Sequence, residues 1–292
     1  MFEPYRYARP RDPREAAALL ASEPGAKALA GGTDLLVEMR ARNLRPSLVV
    51  DLKGIAGLRG ISRAGGRVRI GALTTVSDVL SSPRLAGGLA ALRDAAAVFG
   101  CHEIRNRATV GGNLANASPG AEFSVPLMAF DAEVVVQGSE GPARSLPLGS
   151  FLLGPGRTAL GPGELVTAVE IPGVDQDLRS AYRRRARTRG MDLASVSLAV
   201  VARRAGDPAR RQVALSMGAV AGVPPRPAAA EAELSGATLT RERVARAGEL
   251  LVAGLAPRAT SLRATPGYKL AVLPVLLERI LCDLGLVEED GS

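Results

Sequence analysis

The order of elements predicts an α+β chain in three parts. Residues 1–56 alternate helix and strand. Residues 57–172 mix strands with helices, and residues 178–287 place strands before helices. The assignments rest on hydrophobic period: about 3.6 residues in the helices, two in the strands.

In the first part, DPREAAALLASE reads as a helix, KALAG as a strand, TDLLVEMRARN as a helix and SLVVDL as a strand. In the second, GRVRIGALT alternates as a strand does. SSPRLAGGLAALRDAAAVFG has a Ser-Pro start and reads as one long helix. AEVVVQG and GELVTAVEIP read as strands. The segment PGVDQD at 172–177 has turn chemistry and is the expected linker. Beyond it, SVSLAVVARR and RRQVALSMGAV read as a strand pair. Three helices follow, in PPRPAAAEAELSG, TRERVARAGELLVAG and TPGYKLAVLPVLLERILCDLG. No internal repeat is visible.

Composition narrows the chemistry. With 292 residues and 47% apolar content, the chain buries a real core. Its longest apolar runs, such as LASVSLAVVA, are too short to cross a bilayer. MFEPYRYARP has no apolar signal core, so a soluble cytoplasmic protein is expected. The two cysteines, Cys101 and Cys282, hold neither an iron–sulfur cluster nor a cysteine-rich zinc site. The single histidine, His102, excludes a multi-histidine metal site. It reads as a polar loop residue ahead of a strand; a general base is the rival reading. The net charge of +8 is nearly all arginine, densest in RRRARTR at 183–189. Aromatics make up only 3%, and none interleaves with these arginines as a base-stacking platform requires. Nucleic acid is therefore not the expected partner, and the cluster reads as a charged surface strand.

Two glycine pairs carry the functional signal. AGGTDLLVEMR at 30–40 runs strand, Gly-Gly, then Thr-Asp opening a helix. Glycine tolerates positive φ and lets a ligand touch the backbone, and free N–H groups at a helix start favour a phosphate. Thr33 or Asp34 is placed to cap that helix. A plain tight turn explains one such pair equally well. TVGGNLANASPG at 109–120 repeats the pattern and adds Asn113, Asn116 and Ser118. Two separated cradles suit a diphosphate held between two subdomains. The spacing matches neither the dinucleotide fingerprint nor the P-loop.

Together, AGGTDLLVEMR and IRNRATVGGNLANASPGAE resemble the FAD-binding subunits of molybdenum hydroxylases, the xanthine dehydrogenase and carbon monoxide dehydrogenase medium-subunit family. VVDLKGI at 49–55, RIGALTT at 69–75 and FLLGPGRTALGPGELVTAVEIP at 151–172 extend the likeness over nearly the whole chain. The resemblance implies a two-subdomain FAD-binding fold of the vanillyl-alcohol-oxidase type. A small C-terminal domain with a three-stranded antiparallel sheet and helices would follow it. Ala30, Gly31, Gly32, Thr33 and Asp34 would wrap the pyrophosphate, flanked by Lys27, Leu29 and Leu35. Ala108, Thr109, Gly111, Gly112 and Asn113 would form the second clamp, with Ile104 beside it. Asn116, Ser118 and Glu122 would reach the ribityl chain or ring edge. Phe99 and Leu160 would lie against the isoalloxazine, although plain core positions suit them equally. Arg184, eight residues before Asp192, would sit near the ring's polar edge, with Arg183 and Arg185 on the opposite strand face. Two positions depart from the family habit: Glu122 where Asp is usual, and Arg184 where Lys is usual.

The resemblance also implies a division of labour. This chain carries no cluster ligands and no molybdenum-site motif. A molybdopterin-containing large subunit and a [2Fe–2S] small subunit would therefore be its partners in a heterotrimer. Electrons would leave the flavin for NAD or another acceptor. GPGRT resembles the purine and N-heteroaromatic enzymes more than the carbon monoxide branch. The lack of added cysteines argues against the benzoyl-CoA reductase branch. The rivals are a stand-alone FAD-dependent oxidoreductase of the same superfamily, which would need its own acid–base residues, and a binding protein that carries no flavin.

Overall fold

The computed structural model describes residues 4–41, 43–188, 190–257, 261 and 263–288. The first part is a three-stranded parallel sheet. Strands β1 (Arg6–Ala8), β2 (Lys27–Leu29) and β3 (Leu48–Asp51) lie in the order β1-β3-β2. Helix α1 (Pro13–Ser22) starts on Asp12, whose carboxylate accepts the N–H groups of Arg14 and Glu15. Helix α2 (Leu35–Arg40) follows β2. Because β3 is buried along its length, its LVV run is apolar rather than alternating, and the buried Asp51 ends it.

The second part is built on a five-stranded antiparallel sheet. Strands β4 (Ile61–Ala64) and β5 (Arg67–Gly71) form one side. Helices α3 (Val76–Ser81), α4 (Ala90–Ala97), α5 (His102–Arg105), α6 (Val110–Asn116) and α7 (Ser124–Ala129) come next in the chain. Then follow β6 (Glu133–Gln137), β7 (Arg144–Pro147), α8 (Leu148–Phe151), the small pair β8 (Leu152–Gly154) and β9 (Arg157–Thr158), and β10 (Leu165–Ile171). The sheet order is β4-β5-β10-β6-β7. Its core gathers Val68, Ile70, Phe123, Phe130, Val134, Phe151 and Ile171, each at most 1% exposed.

The third part is an antiparallel sheet of β11 (Arg179–Arg185), β12 (Val196–Arg203) and β13 (Gln212–Gly218). Helices α9 (Ala228–Leu234), α10 (Arg241–Val252) and α11 (Pro266–Asp283) pack with it around a separate core that includes Leu198, Val200, Leu215, Leu277 and Ile280. A three-stranded antiparallel sheet with helices is what the resemblance implies for this region. The element pattern anticipates the pair β12 and β13, and the charged surface strand read in the basic cluster meets the end of β11.

Three local expectations are corrected. The long helix over 81–100 is broken. Short 3-10 turns at Pro83–Leu85 and Gly87–Leu89 precede α4. Gly87 takes φ +65, and a Cβ on Gly88 would lie 2.6 Å from the Leu178 carbonyl oxygen, so the glycines end one segment and allow a close approach. His102 does not precede a strand; it opens the short helix α5 and is exposed. Neither Thr33 nor Asp34 caps α2: Asp34 occupies the cap position without a side-chain hydrogen bond there. Among the described residues, no helix is long and apolar enough to cross a membrane.

Candidate functional site

Strand β2 ends at Leu29, and the chain turns through Ala30, Gly31 and Gly32 before α2. Gly31 is required by contact: a Cβ there would stand 1.9 Å from the carbonyl oxygen of Arg107. Gly32 is required by conformation, with φ +79. The turn is tied by Leu36 N–H donating to the Gly32 carbonyl. Among the described residues, no protein acceptor takes the N–H groups of Gly31, Gly32, Thr33 and Asp34.

The second glycine pair works differently. Thr109 caps α6 by accepting the Gly112 N–H on its hydroxyl, so both glycines lie inside the first helical turn. A Cβ on Gly111 would lie 2.6 Å from that of Ala72 and 2.8 Å from the Ala72 oxygen. Gly111 therefore exists for packing α6 against the segment after β5. Its N–H also donates to the Ala72 carbonyl. Asn113, one residue beyond the pair, keeps its buried Oδ1 without a protein partner.

The two turns face one another across a cavity of ≈ 580 Å³. Of the residues singled out in the sequence, Lys27, Ala30, Gly31, Gly32, Thr33, Asp34, Leu35, Phe99, Ala108, Thr109, Gly112, Asn113, Asn116 and Leu160 line it. Phe99 stacks on the buried Phe123, ring centroids 5.7 Å apart, which holds it as a rigid apolar wall. Leu160 sits on the GPGE turn, where Glu164 accepts the Gly161 N–H and pairs with Arg144. Burial, with the neighbouring charge of Glu38, raises the carboxyl of Asp34 above the ordinary carboxylate value.

Six residues singled out in the sequence lie off this cavity's wall. Leu29 sits beneath Gly32, its Cδ1 3.1 Å from where a Cβ there would lie. Ile104 packs beside Gly100, and Gly111 is spent on Ala72. Ser118 accepts the Gly120 N–H and faces a neighbouring cavity of ≈ 280 Å³, together with Leu193, Arg263 and Lys269. Glu122 and Arg184 form a buried ion pair at 3.0 Å. Burial raises the Glu122 carboxyl to about 7, outweighing both a hydrogen bond from its own backbone and the Arg184 charge.

The rest of the basic cluster is compensated or exposed. Arg183 pairs with Asp94 and Asp283, Arg187 with Asp192, and Arg185 is exposed; Arg189 lies outside the described residues. The cavity is also lined by Leu20 and Leu44, which carry no motif of their own, and by Pro162 and Gly163 of the GPGE turn. Gly163, at φ +75 and against Ala21 of α1, was the one available signal among them.

A glycine-walled cavity between two α+β lobes, with unsatisfied backbone donors on one side and an aromatic wall, defines a protein that binds a nucleotide-bearing cofactor. Residues 2–174 match the family of the FAD binding domain in molybdopterin dehydrogenase, and residues 180–284 match the CO dehydrogenase flavoprotein C-terminal domain. The chain belongs to this family of FAD-binding subunits of molybdenum hydroxylases, and FAD is its cofactor. It is 33% identical to the carbon monoxide dehydrogenase medium chain of Hydrogenophaga pseudoflava, covering 95% of this chain and 96% of that one. It is 31% identical to the nicotine 6-hydroxylase medium subunit of Paenarthrobacter nicotinovorans, over 96% and 97% of the two chains. A solved Cu,Mo-CO dehydrogenase chain superposes with TM-score 0.90 at 30% identity, covering 97% and 98%. Quinoline 2-oxidoreductase from Pseudomonas putida superposes with TM-score 0.88 at 29% identity, over the same shares.

The residues present suit FAD. Gly31 and Gly32 admit a diphosphate to the backbone, four N–H groups await an acceptor, and the orphaned Asn113 Oδ1 awaits a donor.

Proposed function

We propose that this chain is the electron-relay subunit of a multi-subunit molybdenum hydroxylase. Its partners would be a molybdopterin-containing large subunit and a [2Fe–2S] small subunit. The observation that carries the reading is the ≈ 580 Å³ cavity, walled by Gly31–Asp34 on one side and Thr109–Asn113 on the other, in a chain of this family. Bound FAD supplies the chemistry: it accepts electrons singly and hands them on as a pair.

The chain's own residues hold and shape that cofactor. The N–H groups of Gly31, Gly32, Thr33 and Asp34 receive the diphosphate. Thr109, Gly112 and Asn113 close on it from α6. Asn116 reaches the ribityl region, and Phe99 and Leu160 form apolar walls. Ser118 contacts the ring region from the neighbouring cavity, and Glu122 and Arg184 act from behind it. On this reading residues 1–56 and 57–172 are the two FAD-binding subdomains, and 178–287 the C-terminal flavoprotein domain. The complex is cytoplasmic, its substrate is a purine or another N-heteroaromatic, and NAD or another acceptor takes the electrons.

The test is purification of this chain alone and with the products of neighbouring genes. The chain alone should carry FAD and hydroxylate no purine or N-heterocycle. The assembled complex should hydroxylate one. Hydroxylation by the isolated chain would contradict the reading.

A further inference from the structure

Behind the glycine turn lies a small cavity of ≈ 60 Å³, whose walls include Ala30, Gly31, Lys53, Thr75 and Thr109. It touches both clamps, because Ala30, Gly31 and Thr109 line this cavity and the cofactor cavity alike. Lys53 brings an ammonium there. Its Nζ is 2.7 Å from Asp51 Oδ1 and donates to the Ala30 carbonyl at 3.5 Å.

Asp51 is fixed in turn. It ends β3 directly opposite Leu29 in the parallel ladder, and it is 5% exposed. Its carboxylate accepts the Tyr7 hydroxyl at 2.6 Å and the Lys53 N–H at 3.0 Å. Burial pulls this carboxyl up, but the hydrogen bonds from Lys53 and Tyr7 outweigh it and hold it below the ordinary carboxylate value. Asp51 therefore faces Lys53 as a carboxylate at neutral pH.

Peptide geometry converts this rear contact into a forward effect. In a planar trans peptide the C=O and the following N–H point in opposite directions. An Ala30 carbonyl turned back toward Lys53 sends the Gly31 N–H forward, and that N–H is one of the four without a protein acceptor. We propose that Lys53 is a positioning residue for the diphosphate of FAD: held by Asp51, its ammonium fixes the Ala30 carbonyl at the rear and so aims the Gly31 N–H into the cofactor cavity. The inference rests on the placement of the diphosphate at Gly31–Asp34 proposed above.

The test uses the purified chain with FAD. Lys53→Met keeps the length of the side chain and removes the charge; Lys53→Arg keeps the charge. FAD dissociation constants come from the fluorescence of flavin released on dilution, and thermal unfolding is followed on the FAD-free chain. Lys53→Met should weaken FAD about tenfold, the scale of a hydrogen bond to a charged group. Lys53→Arg should recover most of that loss; FAD-free Lys53→Arg should unfold near the wild type, and FAD-free Lys53→Met should remain folded but unfold at a lower temperature, because Asp51 loses its counter-charge. Lys53→Met binding FAD as the wild type does overturns the inference, as does Lys53→Arg binding as weakly as Lys53→Met. Gly32→Val separates the two levels. If it keeps full FAD, the cradle reading beneath the inference fails. If it loses FAD while Lys53→Met retains it, only the inference fails.

Discussion

Arg184 Nη1 lies 3.0 Å from Glu122 Oε1, and the two side chains are 8% and 6% exposed. The same nitrogen donates to the Asp192 carbonyl at 2.6 Å. One guanidinium thus joins the segment before α7, the strand β11 and the loop leading to β12. Its charge is spent within the protein, so the strand's one buried arginine acts first as a tie between the two matched regions of the chain.

Removing half of this pair should be costly. Arg184→Ala removes the hydrogen bonds to Glu122 and to the Asp192 carbonyl and lets the Glu122 carboxyl take up a proton, a loss of about 1–3 kcal/mol. Replacing both partners with apolar residues, Arg184→Met with Glu122→Leu, should recover most of it, since desolvation offsets much of the pair's attraction. Denaturant unfolding of the single and double variants checks the expectation. Equal destabilisation in both would refute it.

The Glu122 carboxyl also predicts a pH dependence. Burial raises it from 4.5 to about 7 in the folded chain. Below pH 4.5 both folded and unfolded states hold the proton. Between there and about 7 the unfolded chain releases a proton that the folded chain keeps, so stability falls as pH rises; above about 7 the loss is complete. The total is on the order of 3 kcal/mol. Unfolding free energies at pH 5, 6, 7 and 8 should show this decline in the wild type and not in Glu122→Gln.

The glycines should respond unequally to alanine. Gly31→Ala drives a Cβ to within 1.9 Å of the Arg107 oxygen, a backbone atom that cannot step aside. Gly112→Ala meets the Thr109 hydroxyl at 3.0 Å and the Ala30 Cβ at an ordinary 3.9 Å. Bound flavin per chain, read by absorbance, should fall steeply for Gly31→Ala and little for Gly112→Ala. Gly111→Ala, pressed on Ala72, should lower the unfolding temperature even in FAD-free protein.

Asn113 offers a trade between stability and binding. Its Oδ1 is buried with no partner in the protein, which costs about 1–3 kcal/mol. Asn113→Leu should raise the stability of the FAD-free chain by about 1 kcal/mol and weaken FAD retention. Calorimetry of the FAD-free protein and flavin titration read the two effects separately. A variant that gains stability and keeps full FAD affinity would place Asn113 outside the cofactor's reach.

What the sequence by itself determined was local. Short-range steric and hydrogen-bonding rules mark α1 by its Asp12 cap, β3 and β12 by apolar runs, and the Gly31–Gly32 turn by residues that tolerate positive φ. The likeness of the motifs in order then identified the family and FAD. Where long-range packing intervenes, the same reading faltered. The helix expected over 81–100 breaks because Gly88 must admit the Leu178 backbone, ninety positions along the chain. The two glycine pairs look equivalent as strings, yet Gly31 yields space to Arg107 and Gly111 to Ala72. The resemblance singles out Arg184 among its neighbours, but only the fold shows that it is buried on Glu122. Lys53 lies in the VVDLKGI motif, but nothing in the string places it beside Ala30; the parallel pairing of β2 with β3 brings it there. Local sequence fixes backbone dihedrals and caps, whereas the neighbours that decide a side chain's charge, burial and task come from chain segments that only tertiary packing brings together.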